Sequence, residues 1–366
     1  MKKLFIYLAV VLALVSCGKT AEQPKGITET LLLNDFRPVN VNNIPQTFVE
    51  KAKYPVIDMH SHDYIAGAED VDAWVEAMDA CGITETHIIM HCSWIGKPFE
   101  EVMAPYSKYP GRFKFWCSLD YTQMLQDGTA EQAIAYLEEC KRMGAVGVGE
   151  MGDKGQGDLY ARPTEGYGLH IDDARLKPVW AKCAELKMPV NIHVGEPYWM
   201  YLPQDANNDG LPNGAVWHVD TTAADCLGYE GLMESFENAV RENPKTIFIA
   251  CHYLNMNQDL PRLGAMLDKY PNMYIDISAR VAESAHTPRA TRAFLIKYQD
   301  RVLFGTDNGM AADMYRNIFR ILETEDEHIY IHDFNYHWPL SAFYLPDTVL
   351  EKIYNKNAKR ILNEYK

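Results

Sequence analysis

The sequence predicts a (β/α)8 barrel, the TIM-barrel fold, over residues 51–366. Short runs rich in β-branched residues alternate with longer helical patterns, which is typical of a parallel sheet with helical crossovers. The chain offers eight such pairs, and eight strands followed by eight helices close into a barrel. The rival fold, an open doubly wound sheet, lacks support because no G-x-G-x-x-G motif follows the first strand.

Each predicted strand is a short, mainly apolar run, and each predicted helix repeats its apolar residues at helical spacing. The strands are predicted at residues 55–60, 86–91, 113–118, 145–150, 189–193, 246–252, 273–277 and 301–305. The helices that follow them are predicted at residues 71–79, 98–108, 129–142, 172–186, 229–241, 260–269, 288–298 and 312–322.

A last amphipathic helix is predicted at residues 345–365, where Pro346 and Asp347 open it. Its apolar side chains fall on one face: Leu350, Ile353, Tyr354, Ala358, Ile361 and Leu362. Such a stripe indicates packing rather than a binding site.

The composition indicates a globular protein that does not bind nucleic acid. The 366 residues are 47% hydrophobic and 23% charged, with a formal net charge of −15. Nucleic acids attract basic surfaces, so an acidic chain of this kind is an unsuitable partner for them. We interpret the charge as a solvated acidic surface.

Residues 1–16 are predicted to be a signal peptide, because a basic start precedes an apolar stretch too short to span a bilayer. The sequence Leu14-Val15-Ser16-Cys17-Gly18 resembles a bacterial lipobox. This resemblance implies cleavage before Cys17 and lipidation of its sulfur. The alternative is an ordinary secretory signal with a coincidental cysteine.

Residues 17–50 are predicted to form a tether and an N-terminal arm. A lipoprotein of this kind would lie in the cell envelope, at the outer membrane or in the periplasm, and would contact the membrane only through its lipid anchor. The cysteines after Cys17 show no C-x-x-C pair or disulfide spacing, so we expect most of them to be buried thiols.

Potential metal ligands stand at the ends of several predicted strands, where barrel active sites lie. His60 and His62 end the first strand, and residues two apart on an extended chain point to the same side. The other candidates end or follow later strands: Glu150 the fourth, His193 the fifth, His252 the sixth and Asp307 the eighth.

Imidazoles and carboxylates around an open position are the ligands of a catalytic zinc, which activates water. We expect Asp307 to accept and return the proton of that water. Each candidate has a structural alternative, since a lone His-x-His is a weak motif and a buried glutamate can serve an ion pair. The joint pattern, with histidines at the ends of strands one, five and six and an aspartate after strand eight, favours a metal site.

His60-x-His62, His193, His252 and Asp307, in this order, resemble the amidohydrolase superfamily. Residues 353–362 resemble the C-terminal helix of its amidohydrolase-related branch, family 2. The resemblance implies the barrel, and it implies that His60, His62, His193 and Asp307 bind metal. It also implies that His252 is a ligand or a catalytic group.

Glu150 determines the expected number of divalent ions, of which zinc is the expected element. Where many binuclear relatives carry a carboxylated lysine, this chain offers Glu150, as in members whose glutamate bridges two ions. In mononuclear members Glu150 and His252 would instead bind substrate or carry protons. We favour two ions, because a buried carboxylate and a fourth histidine in one pocket need a cation to offset them.

Three further features suggest binding functions, each with a structural alternative. Trp199 lies in a long aromatic segment after the fifth strand and either contacts substrate or covers the barrel mouth. Arg280, after the seventh strand, either clamps a substrate carboxylate or forms a surface salt bridge. Residues 205–210 match the start of a calcium loop, but Val216 replaces its final acidic ligand, so a polar turn is the alternative.

Together these features predict a metal-dependent hydrolase that uses activated water on a small organic amide, ester or lactone. A metal-dependent decarboxylase of the same superfamily is the first alternative, and a non-catalytic, surface-anchored barrel is the second. The sequence leaves the substrate and the oligomeric state open.

Overall fold

The structure is a computed structural model that describes residues 26–89, 99–119, 129–153, 169–222, 226–334 and 336–364. The chain divides into two compact units, one up to Arg37 and one from Pro38. The described part of the first unit contains a helix at Ile27–Thr30 and a 3-10 turn at Leu33–Asp35. The predicted signal peptide and Cys17 lie outside the described residues. Residues 38–50, which the sequence analysis assigned to the arm, belong to the second unit.

The second unit is the predicted barrel, with eight parallel strands that pair in sequence order. The strands are β1 Val56–Ser61, β2 Ile83–Ile89, β3 Phe113–Cys117, β4 Gly147–Asp153, β5 Val190–Val194, β6 Phe248–Ala250, β7 Met273–Asp276 and β8 Val302–Leu303. Backbone hydrogen bonds from Met59 N to Phe304 O (2.9 Å) and from Thr306 N to His60 O (3.1 Å) bring the last strand back to the first. The predicted fold is therefore confirmed.

A helix follows each strand, as predicted. These helices are α1 Ala68–Cys81, α2 Phe99–Met103, α3 Glu131–Met143, α4 Lys177–Leu186, α5 Gly228–Glu242, α6 Leu260–Lys269, α7 Pro288–Lys297 and α8 Ala312–Glu323. Two short helices, Leu211–Gly214 and Val281–Ala285, lie in loops, as do 3-10 turns at Ala104–Tyr106, Ala174–Leu176, Tyr198–Met200 and His332–Phe334. In the part of the chain that the structure describes, no helix has the length and apolar character needed to cross a bilayer.

β6 and β8 are shorter than predicted by more than two residues each, because the chain after them turns away to build loops. β6 ends at Ala250, since the chain enters a left-handed turn, Cys251–Asn255, in which His252 has a φ of 59°. β8 ends at Leu303, since Phe304 N donates to Ile353 O of the C-terminal helix. The shorter β6 places His252 on a loop rather than on the strand itself.

The predicted C-terminal helix is present, with one turn of different pitch. It runs through Asp347–Glu351, a π-helical turn at Lys352–Lys356, and Asn357–Glu364. Leu362, in its apolar stripe, is half-buried. The other residues of the stripe are buried: Leu350, Ile353, Tyr354, Ala358 and Ile361. Ala358 and Ile361 pack in a cluster with side chains of the strands, so this face serves packing, as predicted.

The described cysteines are free thiols, as expected. Cys226 is half-buried, and the other five are buried: Cys81, Cys117, Cys140, Cys183 and Cys251. Cys92 lies outside the described residues.

Candidate metal centre

Glu150 lies at the middle of the side chains that the sequence selected. Its Oε1 atom lies 2.9 Å from Nδ1 of His193, 3.4 Å from Nε2 of His252 and 3.8 Å from Nε2 of His60. Its Oε2 atom lies 3.4 Å from Nε2 of His62. The barrel therefore brings all four predicted histidines to one carboxylate, which is only 6% exposed.

Asp307 contacts the same group from the turn after β8. Its Oδ1 atom lies 3.1 Å from Nε2 of His62 and 3.9 Å from Nε2 of His60. Asp307 N donates to His60 O (2.9 Å), and the buried Asp58 accepts hydrogen bonds from both N and Oγ1 of Thr306. These bonds hold the left-handed turn (φ 52° at Asp307) that presents the carboxylate to the histidines.

Three histidine rings are oriented by a hydrogen bond from Nδ1 to a fixed acceptor. Nδ1 of His60 donates to Oδ2 of Asp276 (2.9 Å), and Nδ1 of His62 donates to the backbone oxygen of Ile89 (3.0 Å). The Nδ1 atom of His252 likewise lies 2.9 Å from the backbone oxygen of Ser278. A proton held on Nδ1 leaves the lone pair on Nε2, which in each ring faces the shared centre.

His193 is placed differently from the other three histidines. Its Nε2 atom donates to Gly195 O (2.9 Å), and its Nδ1 atom contacts Glu150. Among the described residues, the two groups of atoms close enough to hold one ion do not include it. In this structure His193 therefore contacts the carboxylate of Glu150 but does not share an ion-sized space with the other candidate ligands.

The donors fit a divalent metal ion. One group is His60, His62 and Asp307, and the other is His60, Glu150, Cys251 and His252; within each group the ligand atoms lie within 4.8 Å of one another. The Nε2 atom of His60 is buried and has no hydrogen-bond partner. A buried nitrogen of this kind costs free energy unless a cation or donor meets it, so the site can hold a divalent ion.

The charges of the site support the same conclusion. Burial disfavours protonation of His60, but the carboxylates of Asp276, Asp307 and Glu150 outweigh it and raise the pKa of His60 to about 9. Burial likewise disfavours the charged form of Glu150, yet its contacts with the histidines hold its pKa well below the ordinary value. The pocket thus keeps its carboxylates ionised and attracts positive charge, which a metal ion supplies by displacing protons.

Asp276 and Ser278 are site residues that the sequence analysis missed. Asp276 is buried and accepts hydrogen bonds from His60 Nδ1 and from the backbone nitrogens of His252 (2.9 Å) and Ser278 (3.1 Å). Burial opposes its ionisation, but His60 outweighs it and lowers the pKa of Asp276 to about 2. Its position at the end of β7, level with the other strand-end ligands, is a signal that could have found it.

Arg280 lies inside the molecule rather than on its surface. It is 9% exposed, and its Nε atom donates to Oδ1 of Asn255 (2.8 Å). Its guanidinium also lies 4.0 Å from Glu196 and 3.8 Å from Glu283. Arg280 therefore forms the ion pairs of the structural alternative, but with buried carboxylates rather than at the surface.

Trp199 and residues 205–210 have structural contacts of their own. Trp199 is 7% exposed, packs with Met200 and Val219, and lies beside the rings of Tyr336 and Trp338.

In the proposed calcium loop, Oδ1 of Asp205 accepts from Asn207 N and Oδ1 of Asn208 accepts from Gly210 N. These bonds are those of polar turns, in which side chains satisfy nearby backbone groups.

Solved structures share the fold of this chain. A 2,6-dihydroxybenzoate decarboxylase from Rhizobium has 19% identity and a TM-score of 0.52, covering 85% of this chain and 99% of its own. A 5-carboxyvanillate decarboxylase from Novosphingobium aromaticivorans, complexed with manganese, has 13% identity and a TM-score of 0.53, covering 87% and 100%. A probable 2-pyrone-4,6-dicarboxylic acid hydrolase from Acinetobacter baumannii has 12% identity and a TM-score of 0.51, covering 84% and 99%.

No curated protein sequence matches the chain. The model of a protein family described as amidohydrolase, Amidohydro_2, matches residues 57–363. The match starts in β1 and ends in the C-terminal helix, so it includes every strand and all the candidate ligands. The chain therefore belongs to the Amidohydro_2 amidohydrolase family.

Proposed function

We propose that the protein is a metal-dependent hydrolase that acts on a small organic amide, ester or lactone. The proposed ion is zinc, bound by side chains from His60, His62, Glu150, His193, His252 and Asp307. This set can bind one ion or two. If two ions bind, Glu150 is the proposed bridging ligand. His193 would join through Nδ1, the atom that contacts Glu150.

The observation that carries the proposal is the position of Asp307. Its side chain is 23% exposed, whereas that of Glu150 is 6% exposed, so Asp307 borders the space that a substrate must enter. The neighbouring histidines outweigh its burial and hold its pKa below the ordinary value. An ionised, partly exposed carboxylate beside the ligands can accept a proton from water.

The histidines would bind the ion, and Asp307 would transfer the proton. His60, His62 and His252 hold their Nε2 atoms towards the centre, because Nδ1 of each ring faces a fixed acceptor. A divalent ion at this centre would lower the pKa of a water molecule from about 15.7 to near 7. Asp307 then accepts the proton of the attacking water and returns it to the leaving group.

Decarboxylation is the second candidate, since solved structures with this fold include decarboxylases. The two reactions make different demands on Asp307. Hydrolysis needs a base for water, whereas decarboxylation needs a proton delivered to carbon. We favour hydrolysis because the Asp307 carboxylate, 3.1 Å from Nε2 of His62, lies where it can accept a proton from water.

A screen of the metal-loaded protein tests the proposal. Metal analysis is followed by assays on lactones, esters and amides, with hydroxylated aromatic acids assayed in parallel for carbon dioxide release. Hydrolysis that is lost after chelation and regained with zinc supports the proposal. Release of carbon dioxide without hydrolysis would establish the lyase instead, and a protein that binds no metal would favour a non-catalytic barrel.

We further propose that the protein is a lipoprotein of the bacterial cell envelope, attached through Cys17. The lipobox-like sequence around Cys17 supports this location. Labelled fatty acid should be incorporated into the wild-type protein and not into Cys17→Ala. Equal labelling of both proteins would contradict the anchor.

A further inference from the structure

Cys251 places a thiol at the metal centre that neither the sequence pattern nor the family resemblance includes. It is fully buried and directly precedes His252 at the start of the left-handed turn after β6. Its Sγ atom belongs to the group formed with His60, Glu150 and His252, whose ligand atoms all lie within 4.8 Å of one another. Sγ also lies 2.8 Å from Oδ1 of Asn191, a buried residue of β5.

The other atoms of this group already have the spacing of a coordination sphere. Oε1 of Glu150 lies 3.4 Å from Nε2 of His252 and 3.8 Å from Nε2 of His60. Ligands about 2.0–2.2 Å from one ion stand at such distances from one another. Nε2 of His60 is fully buried without a hydrogen-bond partner, which is an independent sign that an ion belongs at this point.

We propose that Cys251 is a sulfur ligand of the ion held by His60, Glu150 and His252. This inference rests on the proposed function, because it concerns the same centre. The thiol proton leaves for solvent when the ion binds, so a thiolate would join two nitrogens and one oxygen as ligands of the ion. Thiolate ligands select zinc and other soft ions over magnesium or manganese. The chain therefore prefers zinc, cobalt or cadmium.

The shared histidine adds a restriction on the second ion. His60 belongs to both ligand groups, but one nitrogen lone pair coordinates one ion. An ion in the group with Cys251 takes His60, and a second ion must then rely on His62 and Asp307, with Glu150 as a bridge. We therefore expect the Cys251 group to be filled first.

X-ray absorption at the zinc edge tests the sulfur ligand directly. Wild-type protein loaded with one equivalent of zinc should show a sulfur neighbour at about 2.3 Å in addition to nitrogen and oxygen at about 2.0–2.2 Å. The sulfur neighbour should vanish in Cys251→Ser and persist in Cys183→Ser, a matched change of another buried thiol, in α4. Cobalt-loaded wild type should likewise show a thiolate-to-cobalt absorption band that Cys251→Ser lacks.

The outcomes separate this inference from the proposed function. Bound zinc with only nitrogen and oxygen neighbours would overturn the role of Cys251 and leave a metal-dependent hydrolase standing. Failure to bind zinc at all would overturn both. If Cys251→Ser does not fold, the wild-type spectrum alone still decides, since it contains or lacks the sulfur neighbour.

Discussion

Asp276 accepts a hydrogen bond from Nδ1 of His60 at 2.9 Å, and both side chains are fully buried. The bond fixes the ring so that Nε2 faces the centre. Carboxylates that orient metal-binding histidines typically contribute tenfold to a hundredfold to metal affinity. Asp276 also accepts from the backbone of His252, so one carboxylate orients two candidate ligands.

We predict that Asp276→Asn weakens zinc binding by about 10–100-fold, because the amide holds His60 less firmly in the required orientation. Competition with a chromogenic chelator measures the dissociation constant. Asp268→Asn, which changes an exposed carboxylate of α6, is the matched control and should bind zinc like the wild type. Equal affinities for the Asp276 variant and the wild type would rule out this orienting role.

Asp307→Asn should abolish turnover of an identified substrate while the fold persists. The amide can no longer accept a proton from water, and loss of a general base typically costs about 10²–10⁴-fold in rate. Circular dichroism and bound zinc are measured beside the rate, since Asp307 is also a candidate ligand. A variant that retained full activity would show that the proton passes elsewhere.

Removal of the metal should lower the melting temperature, because the ion binds the folded chain and offsets the crowded carboxylates Glu150 and Asp307. A ligand at a thousand times its dissociation constant stabilises the fold by about 4 kcal/mol. His60→Ala should abolish turnover and reduce this gain, since its Nε2 belongs to both ligand groups and binds one of the ions. A variant that zinc stabilised as much as the wild type would contradict the role of His60 as a ligand.

The sequence predicted the barrel and the donors at the strand ends, because both follow from local periodicity. His60 and His62 were found by their spacing and by their position at the end of the first predicted strand. Asp276 was missed, since its role depends on the contact of its side chain in β7 with the ring of His60 in β1. Cys251 was assigned only to burial, because the left-handed turn that sets its surroundings comes from packing and is not visible in an apolar run.

Arg280 and Trp199 illustrate the same limit. The sequence placed both near the barrel mouth, but their burial depends on partners distant in the chain. Arg280 meets Glu196 and Glu283, and Trp199 meets the rings of Tyr336 and Trp338. A single sequence predicts the loop that carries a side chain. Tertiary contacts determine whether that side chain faces a substrate or packs inside the protein.

Asp326 should tie the segment before β1 to the barrel in a pH-dependent manner. It accepts hydrogen bonds from N (2.6 Å) and Oγ1 (2.7 Å) of Thr47 and pairs with Arg320 at 2.7 Å. Burial would raise its pKa, but these partners outweigh burial and lower it. A lowered pKa stabilises the fold above the ordinary value of about 3.9, and this contribution disappears as the pH falls through the folded-state pKa.

We therefore predict that Asp326→Asn destabilises the protein by about 1–3 kcal/mol at neutral pH and by less in acid. Urea unfolding at pH 7 and at a pH below the ordinary carboxyl pKa measures the difference. Asp347→Asn, which removes the exposed partner of Lys53, should change stability little at either pH. A deficit for Asp326→Asn that did not shrink in acid would contradict the ionic contribution.

Arg280→Gln should lower stability more than it weakens substrate binding. Removing this cation leaves Glu196 and Glu283 buried without it, and breaking a buried ion pair typically costs about 3–5 kcal/mol. Arg289→Gln, at an exposed position of α7, is the control and should leave the melting temperature unchanged. If Arg280 instead clamps a substrate carboxylate, KM for an anionic substrate will rise while the melting temperature stays at the wild-type value. Two surrounding carboxylates already balance its charge, so we expect the loss of stability.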